Sequence, residues 1–438
     1  MHVHNRSKLG AMLTISVAAA LVGCGSGSST SSSSGGGSGG GGGGALVVAV
    51  VSPFTGADAV FGQVVFAGCV PAASLINSGG GVLGHTISCQ SVDTHGDAAD
   101  AVPAVEQLLA TTPNLAGMIG PSADEATATV PAINRAQVTM FADTGEAAFD
   151  QSQYQYFWRL TPADDQAGYA MAVWAHKSGY TTAAAVFGND VSAQGSVPTL
   201  MSGFEKLGGR IVANVSIAPG QSSYRTEAQT VLAAHPQVIF DEMDPQTSAT
   251  FFNQLKALNG AMLPAIGADP TLTPDWFTAV SKAIGTSDLI KYVTAENPSA
   301  DTSGDAWQVF NTALLASSAQ VSDPGQYSTQ SYTEHEYDAV NIMALAMIKA
   351  NSVSPAKYNA QIFNVTRPRS GAVVVRNFAD GKRALAAGHE IQYVGPGGPV
   401  LFDQWHSAAS DFTIERWDAS GANVTIGTLS PTDIATAR

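Results

Sequence analysis

The chain has 438 residues, of which 45% are hydrophobic, and this length and composition predict two or three folded units rather than a disordered polymer. The 35 Asp and Glu residues outnumber the 20 Lys and Arg residues, which gives a net charge of −15. An acidic surface repels phosphate backbones and no basic cluster offsets it, so we expect no nucleic-acid partner.

The first 24 residues have the pattern of a signal peptide. A basic start with His4, Arg6 and Lys8 precedes an apolar run over residues 9–22, which is shorter than the roughly 20 apolar residues that span a bilayer. The run ends in Leu21-Val22-Gly23-Cys24, which has the pattern of a lipobox and predicts lipidation at Cys24 and cleavage before it. The alternative is a plain secretion signal that contains a cysteine.

Residues 25–44 contain only Gly, Ser and Thr and cannot bury apolar surface, so we expect a flexible tether between the lipid and a folded body. Beyond Cys24, two cysteines remain, Cys69 and Cys89. Export places them in an oxidising compartment, where they can form a disulfide. The alternative is a pair of separate buried thiols.

From residue 45 onward, strand patterns alternate with helical periodicity. The first run, residues 46–51, is continuously apolar and rich in Val, as in a strand that is buried on both faces of a parallel sheet. The alternation predicts α/β lobes with helices on both faces of each sheet and ligands beyond the carboxyl ends of the strands. The predicted strands are 46–51, 86–92, 115–120, 138–141, 182–187, 210–217, 238–240, 265–267 and 412–417, and the predicted helices are 60–76, 98–109, 123–135, 167–177, 197–207, 224–234, 247–258 and 332–350.

Seven motifs then follow one another in a characteristic order. They are Pro53-Phe54-Thr55-Gly56, Phe61-Gly62, the turn from Ile76 to Gly84, Asp93, Ile119-Gly120-Pro121-Ser122, Tyr337-Asp338-Ala339, and the segment from Ile391 to Asp403. Together they resemble the leucine/isoleucine/valine-binding family of periplasmic binding proteins, the receptors of branched-chain and related amino-acid ABC importers. The resemblance implies the type I periplasmic-binding-protein fold, in which two doubly wound parallel-sheet lobes are joined by a three-segment hinge.

The resemblance also implies how the chain divides between the lobes. Residues 45–161 and 295–409 should form the first lobe, and residues 162–294 and 410–438 the second. The crossings should then lie near Thr161, Thr294 and Ser410.

The resemblance places the ligand carboxylate at the first lobe. Free N–H groups at a helix N-terminus suit an anion, and Ser122 enters such a helix, although Ser122 and Glu125 also fit a capping box. Thr144 and Gly145, in the loop after the next strand, are implied to offer a hydroxyl and a backbone N–H. The alternative for that loop is a turn before an acidic helix start.

Other ligand contacts are implied on both lobes. Asp269 falls where the family places the acidic partner of a ligand ammonium, unless it only caps the following helix. Gln194 replaces an aromatic wall with an amide. Phe61 either lies over the ligand or is a buried helix aromatic.

One departure from the family concerns three acids after a strand, Asp241, Glu242 and Asp244. They either favour a ligand with a second cationic group, in which case Asp244 belongs to the site, or they are solvated loop acids. Together with Gln194, they put a branched aliphatic ligand in doubt.

The chain has no Gly-x-Ser-x-Gly elbow, no phosphate loop and no His-Glu-x-x-His motif, so we expect no enzyme, no cofactor and no metal. The segment Glu334-His335-Glu336 is interpreted as a solvated acidic helix start, because adjacent helix positions point in different directions. The resemblance implies a monomeric lipoprotein on the bacterial cell membrane, with its body in the periplasm or outer cell-envelope space. It would deliver an amino acid or analogue to an ABC permease. The alternative is a sensory module of the same fold.

Overall fold

The computed structural model describes residues 44–56, 58–298, 304–409 and 411–438. The predicted lipidation site Cys24, residues 25–43 of the predicted tether and the predicted crossing at Ser410 lie outside these residues. The described chain forms two lobes, each built on its own mainly parallel sheet, as predicted.

The first lobe begins with five strands and three helices: β1 (Leu46–Ser52), α1 (Ala59–Ser78), β2 (Ile87–Asp93), α2 (Ala98–Thr111), β3 (Leu115–Ser122), α3 (Ala123–Arg135), β4 (Met140–Asp143) and β5 (Phe157–Trp158). The strands form a parallel sheet in the order β2-β1-β3-β4-β5. Val48 and Val50 of β1 lie in one hydrophobic core, and Ala49 and Val51 lie in the core on the opposite face. Burial on both faces explains the continuous apolar run.

Helix α1 is long and apolar enough to cross a membrane, with a mean hydropathy of 1.9, but most of it is buried inside the lobe. A disulfide joins Cys69 of α1 to Cys89 of β2, with 6.1 Å between the Cα atoms, so the predicted pair is confirmed. The Asn77 amide donates to the Ile87 carbonyl at 2.8 Å and accepts from the Ile87 N–H at 2.7 Å. Helix α1 is therefore held against β2 by the disulfide at its middle and by two hydrogen bonds at its end.

The second lobe receives the next twelve elements: α4 (Asp164–Lys177), β6 (Thr182–Gly188), α5 (Val191–Gly195), α6 (Val197–Lys206), β7 (Arg210–Ile217), α7 (Arg225–Ala233), β8 (Val238–Glu242), α8 (Pro245–Asn259), β9 (Ala265–Gly267), α9 (Pro274–Ile284), α10 (Thr286–Tyr292) and β10 (Val293–Asn297). Ala184 and Val186 of β6 pack into one core, and Ala185 and Phe187 pack into the other. This sheet is therefore also covered on both faces.

The predicted boundary between residues 294 and 295 falls inside β10. This strand pairs with β9 in parallel, so residues 295–297 lie in the second sheet and not in the first lobe. Strand pairing decides this boundary, and the short segment carries no sequence signal for it.

The chain then returns to the first lobe with ten elements: α11 (Asp305–Leu315), α12 (Ser331–Ala350), α13 (Pro355–Tyr358), α14 (Ile362–Thr366), β11 (Val373–Val375), α15 (Phe378–Ala386), β12 (Ile391–Gly395), β13 (Gly398–Pro399), β14 (Leu401–Phe402) and β15 (Ala408–Ala409). Helix α12 packs against α1, where the Thr333 hydroxyl donates to the Val64 carbonyl at 2.8 Å. A β-carbon on Gly68 would lie 2.5 Å from the Thr333 carbonyl oxygen, so the two helix backbones nearly touch.

The last segment completes the second lobe with β16 (Phe412–Trp417), β17 (Asn423–Leu429) and α16 (Pro431–Ala435). The seven-stranded sheet has the order β17-β16-β10-β9-β8-β6-β7, in which β16 is antiparallel to both of its neighbours. Strand β16 was predicted as the terminal strand, but β17 and α16 follow it. The β-branched residues Val424, Ile426 and Thr428 favour a strand here, although most of β17 is exposed.

Two acidic residues of the family-like motifs hold turns. Asp93 accepts from the Phe54 N–H at 2.9 Å and from the Thr55 hydroxyl at 2.6 Å, which fixes the loop after β1. Asp338 accepts from the Tyr393 hydroxyl at 2.7 Å and from the Gly397 N–H at 3.0 Å. Both carboxylates have structural roles at the positions where the motifs occur.

Candidate functional site

Three neighbouring strands of the second lobe end in acidic side chains. Glu242 is the last residue of β8, Asp269 follows β9 and Glu296 lies at the end of β10. These strands are adjacent and parallel, so their carboxyl ends meet at one edge of the sheet, where α/β proteins bind ligands. The Asp269 N–H donates to Glu296 Oε1 at 3.3 Å, which brings these two tips together.

A fourth carboxylate, Asp164 at the start of α4, lies between the two lobes. Its N–H donates to the Gly145 carbonyl of the first lobe at 2.8 Å. A β-carbon on Gly145 or on Gly195 would collide with the Asp164 carboxylate. Glycine at both positions therefore lets the chain close around this side chain.

The first lobe contributes an aromatic pair whose Tyr332 lies near these acids. Phe61 of α1 and Tyr332 of α12 pack edge to face, with ring centroids 4.9 Å apart and an interplanar angle of 80°. The Tyr332 hydroxyl lies close enough to the Asp269 carboxylate to lower its pKa, and the neighbouring Gln330 amide donates to the Leu272 carbonyl at 3.5 Å. These contacts join the lobes directly across the cleft.

The clustered acids in the second lobe resist ionisation. Burial, together with the charge of Asp269, raises the pKa of Asp164 to about 7, even though the Arg159 guanidinium opposes the rise. Burial likewise raises the pKa of Asp269 to about 7, against the hydrogen bond from Tyr332. The pKa values of Glu242 and Glu296 are raised well above the ordinary Glu value, by burial first and then by the neighbouring carboxylates.

A second pair of acids lies in the first lobe, where Asp143 ends β4 and Glu336 belongs to α12. Burial raises the pKa of Asp143 to about 6, and burial together with the charge of Asp143 raises the pKa of Glu336 well above its usual value. The interpretation of Glu334-His335-Glu336 as a solvated helix start is therefore wrong, because all three residues are buried where α12 packs on α1.

Arg159 is the basic side chain that faces this acidic region among the described residues. It is buried at the first crossing, where its guanidinium donates to Asp150 Oδ1 at 2.7 Å and to the Glu146 carbonyl at 3.3 Å. Its backbone pairs with Ser407 beside the third crossing. Arg159 thus fixes the hinge and the loop after β4, and its charge is already matched by Asp150.

The predicted carboxylate-binding residues lie together at the tips of β3 and β4. The Ser122 hydroxyl is 3.0 Å from the Ser52 hydroxyl and makes no capping bond to α3, so the capping box does not form. The Thr144 hydroxyl accepts from the Glu146 N–H at 3.2 Å within its own loop. The Gly145 carbonyl accepts from the Asp164 N–H across the lobes.

Two predicted residues of the second lobe hold local structure. The Gln194 amide donates to the Gly188 carbonyl, and Asp244 caps α8 by accepting from the Gln246 and Thr247 N–H groups at 3.0 Å each. Asp244 is exposed. Burial and the charge of Asp190 raise the pKa of Asp58 of the first lobe, and the charge of Asp244 makes a smaller contribution to the same rise.

The acids of β8 differ from one another. Asp241 is fully buried and makes no side-chain hydrogen bond within the described chain, so the interpretation as solvated loop acids is wrong for this residue. Burial alone raises its pKa to about 7. Glu242, one residue later, points to the opposite face of the strand and belongs to the acidic cluster.

Sequence reasoning missed Asp164, Glu296 and Tyr332 as members of this region. Asp164 lies just before the predicted helix 167–177, and Glu296 lies in the short strand Val293–Asn297, which no sequence pattern indicated. An acid after each of three consecutive strands is the signal that could have indicated the cluster.

Within the described ranges, no three His, Cys, Asp or Glu side chains converge in a way that could hold a metal ion. A separate groove of about 940 Å³ lies between the two lobes and is open to solvent. Trp307 and Arg376 line it from the first lobe, and Asp411 and Thr428 line it from the second. The acidic region is the candidate site because ligands of α/β proteins bind beyond the carboxyl ends of the strands.

Comparison with known proteins agrees with this architecture. The leucine binding protein LivK from Thermotoga maritima superposes with a TM-score of 0.71 at 17% identity, over 89% of this chain and 99% of that one. The branched-chain amino acid transporter substrate binding protein LivJ from Streptococcus pneumoniae, in complex with isoleucine, gives 0.69 at 15% identity, over 87% and 100%. A solute binding protein of an ABC transporter from R. palustris, in complex with benzoate, gives 0.68 at 17% identity, over 88% and 97%.

At these identities the structural likeness establishes the fold. No curated protein sequence matches the chain. The periplasmic binding protein family matches residues 45–422, which is most of the chain and nearly all of the described part. The chain therefore belongs to the periplasmic binding protein family.

Proposed function

We propose that the chain is the extracytoplasmic substrate-binding lipoprotein of an ABC importer and that it binds an amino acid or a related small polar amine or amide between its lobes. The observation that carries this proposal is the position of Asp269. Its carboxylate lies at a strand tip of the second lobe, close enough to the Tyr332 hydroxyl of the first lobe for that group to lower its pKa. A ligand ammonium at this place would be bound by both lobes and would favour their closure.

The remaining predicted contacts fit a zwitterion. Ser122, Thr144 and Gly145 lie at the first-lobe strand tips and can face a carboxylate, while Gln194 and Asp244 lie on the second-lobe side. Binding is the proposed activity and catalysis is not, because the cleft is built from acids with hydrogen-bonding roles and lacks a nucleophile–base pair among these residues.

The proposed location and partner follow from the leader and from the relatives. Lipid at Cys24 and a tether of Gly, Ser and Thr would hold a monomeric body near the membrane that carries the permease. Structural neighbours bear names such as branched-chain amino acid transporter substrate binding protein and solute binding protein of an ABC transporter. Those names support a transport role for this chain.

A ligand screen by thermal shift tests the proposal. Amino acids, polyamines, small amides and aromatic carboxylates would be added at 1 mM, and a ligand at roughly 100 times its Kd should stabilise the folded state by about 2.7 kcal/mol. We expect stabilisation by compounds that carry an ammonium group. No stabilisation across the set would refute the proposed ligand class.

The variant Asp269→Asn removes the proposed ammonium partner and keeps its size. We expect its Kd for the ligand found in the screen to rise at least about 30-fold, because a buried charge pair that loses one partner costs 2 kcal/mol or more. Asp275→Asn, an exposed acid at the start of α9, is the matched control and should bind like the wild type. Unchanged affinity in Asp269→Asn would remove Asp269 from the site.

A further inference from the structure

The acidic cluster of the second lobe consists of Asp164, Glu242, Asp269 and Glu296. Their carboxyl groups are close enough to raise one another's pKa values, and a single ammonium group at Asp269 would leave the other acids without a cationic partner. Arg159 is the basic group that acts on this cluster in the described chain, and it already pairs with Asp150. When ionised, the carboxyl groups of the cluster therefore carry more negative charge than the nearby basic side chain of the described chain neutralises.

Glu296 supplies an independent observation that points to a ligand. The residue is fully buried, and its Oε1 accepts from the Asp269 N–H, so the carboxyl group is directed at the cluster. Its other oxygen, Oε2, has no hydrogen-bond partner in the described chain. A buried carboxylate oxygen without a donor costs stability, and a second ammonium group is the donor that fits its charge.

We propose that the ligand is a small organic dication, with one ammonium group at Asp269 and a second one at Glu242 and Glu296. This inference rests on the proposed function and names the substrate class within it. The aliphatic part between the two charges would pack on the Phe61–Tyr332 pair, whose Tyr332 lies near Asp269 and Glu242. Two chemical sources share these features: diamines, and basic amino acids that also carry a carboxylate.

The electrostatics predict that binding of a dication releases protons. The acids that face the cluster are Glu146, Asp150, Asp190 and Glu415, with Arg159 as the opposing cation and Tyr332 as a neutral donor. Raised pKa values leave part of the cluster protonated near neutral pH, and an arriving ammonium group favours the ionised form. Affinity should therefore increase with pH, by tenfold per unit for each proton released.

The first experiment uses isothermal titration of the unmodified protein with four probes: 1,4-diaminobutane, L-lysine, L-leucine and 1-aminobutane. We expect both dications to bind at least about tenfold more tightly than the two probes without a second ammonium group. Affinity for the dications should rise at least about fivefold between pH 6 and pH 8, where the probes keep their charge.

The second experiment compares Glu242→Gln and Glu296→Gln with Asp241→Asn. Each Gln substitution should weaken dication binding at least about tenfold and change binding of L-leucine or 1-aminobutane by less than about twofold. Asp241→Asn is the matched control, because Asp241 is equally buried on the same strand but lies outside the cluster. It should leave both classes of ligand unaffected.

The outcomes separate this inference from the proposed function. Tighter binding of L-lysine than of 1,4-diaminobutane would indicate a carboxylate subsite at Ser122 and Thr144. Tighter binding of 1,4-diaminobutane would indicate that the ligand is a diamine. Binding of L-leucine at least as tight as that of the dications would refute the inference that the ligand is a dication. It would still agree with the proposed function as an amino-acid receptor. Affinity that does not change with pH would also overturn the dication. Failure of every probe to bind would overturn the dication, and the wider ligand screen would then decide the proposed function.

Discussion

Asp241 allows a direct test of how burial without a partner acts on the stability of the second lobe. Its side chain is fully buried, burial is the one cause that raises its pKa from 3.8 to about 7, and no charged neighbour contributes. In the unfolded chain this carboxyl group ionises near pH 3.8. The folded state keeps the proton up to about pH 7. Between pH 3.8 and pH 7, ionisation of this carboxyl group therefore stabilises the unfolded state and not the folded one.

The sign of the effect follows from this difference. Below pH 3.8 both states are protonated and Asp241 costs nothing through ionisation. Between pH 3.8 and 7, unfolding releases a proton, so the free energy of unfolding falls as pH rises. A difference of about 3 pKa units corresponds to about 4 kcal/mol once the pH exceeds 7, and to about 2 kcal/mol at pH 5.

The variant Asp241→Asn removes this ionisation and keeps the shape. Its free energy of unfolding relative to the wild type should therefore increase by about 2 kcal/mol between pH 5 and pH 8, measured by urea denaturation with tryptophan fluorescence. Any constant effect of the amide cancels in that comparison. Asp275→Asn should show no such trend, because that side chain is exposed. A difference between Asp241→Asn and wild type that is flat with pH would refute the reasoning.

Two further predictions concern the covalent link of the first lobe and the closure of the cleft. The double variant Cys69→Ser/Cys89→Ser opens a loop with a sequence separation of 20 and should lose about 3 kcal/mol of unfolding free energy. In the unreduced, unfolded wild type, mass mapping after treatment with a thiol reagent should find both cysteines unmodified. Gly145→Ala places a methyl group against the Asp164 carboxylate and should weaken ligand binding at least about tenfold, whereas Gly325→Ala, with its nearest neighbour Leu315 Cδ2 at 3.7 Å, should bind normally. Normal affinity in Gly145→Ala would mean that the ligand-bound lobes do not approach each other at this point.

The fold class and most of the element types could be predicted from the amino-acid sequence. Buried strands such as β1 carry side chains that pack on both faces, so a continuous apolar run was sufficient to indicate them. Cysteine counting found the Cys69–Cys89 pair, and the motif order led to the family. These properties can be predicted because each depends on the types of a few neighbouring residues or on the spacing of residues along the chain.

Tertiary structure decided which acids of the candidate site lie together and which of them are buried. Glu242, Asp269 and Glu296 are far apart along the chain and meet because β8, β9 and β10 are neighbours in the sheet. The burial of Glu336 depends on α12 packing against α1, and that of Asp241 on its position inside the second lobe, so helical or strand periodicity could not reveal either. Whether a carboxylate is solvated or desolvated depends on which elements cover it, and strand order and helix packing are properties of the whole fold.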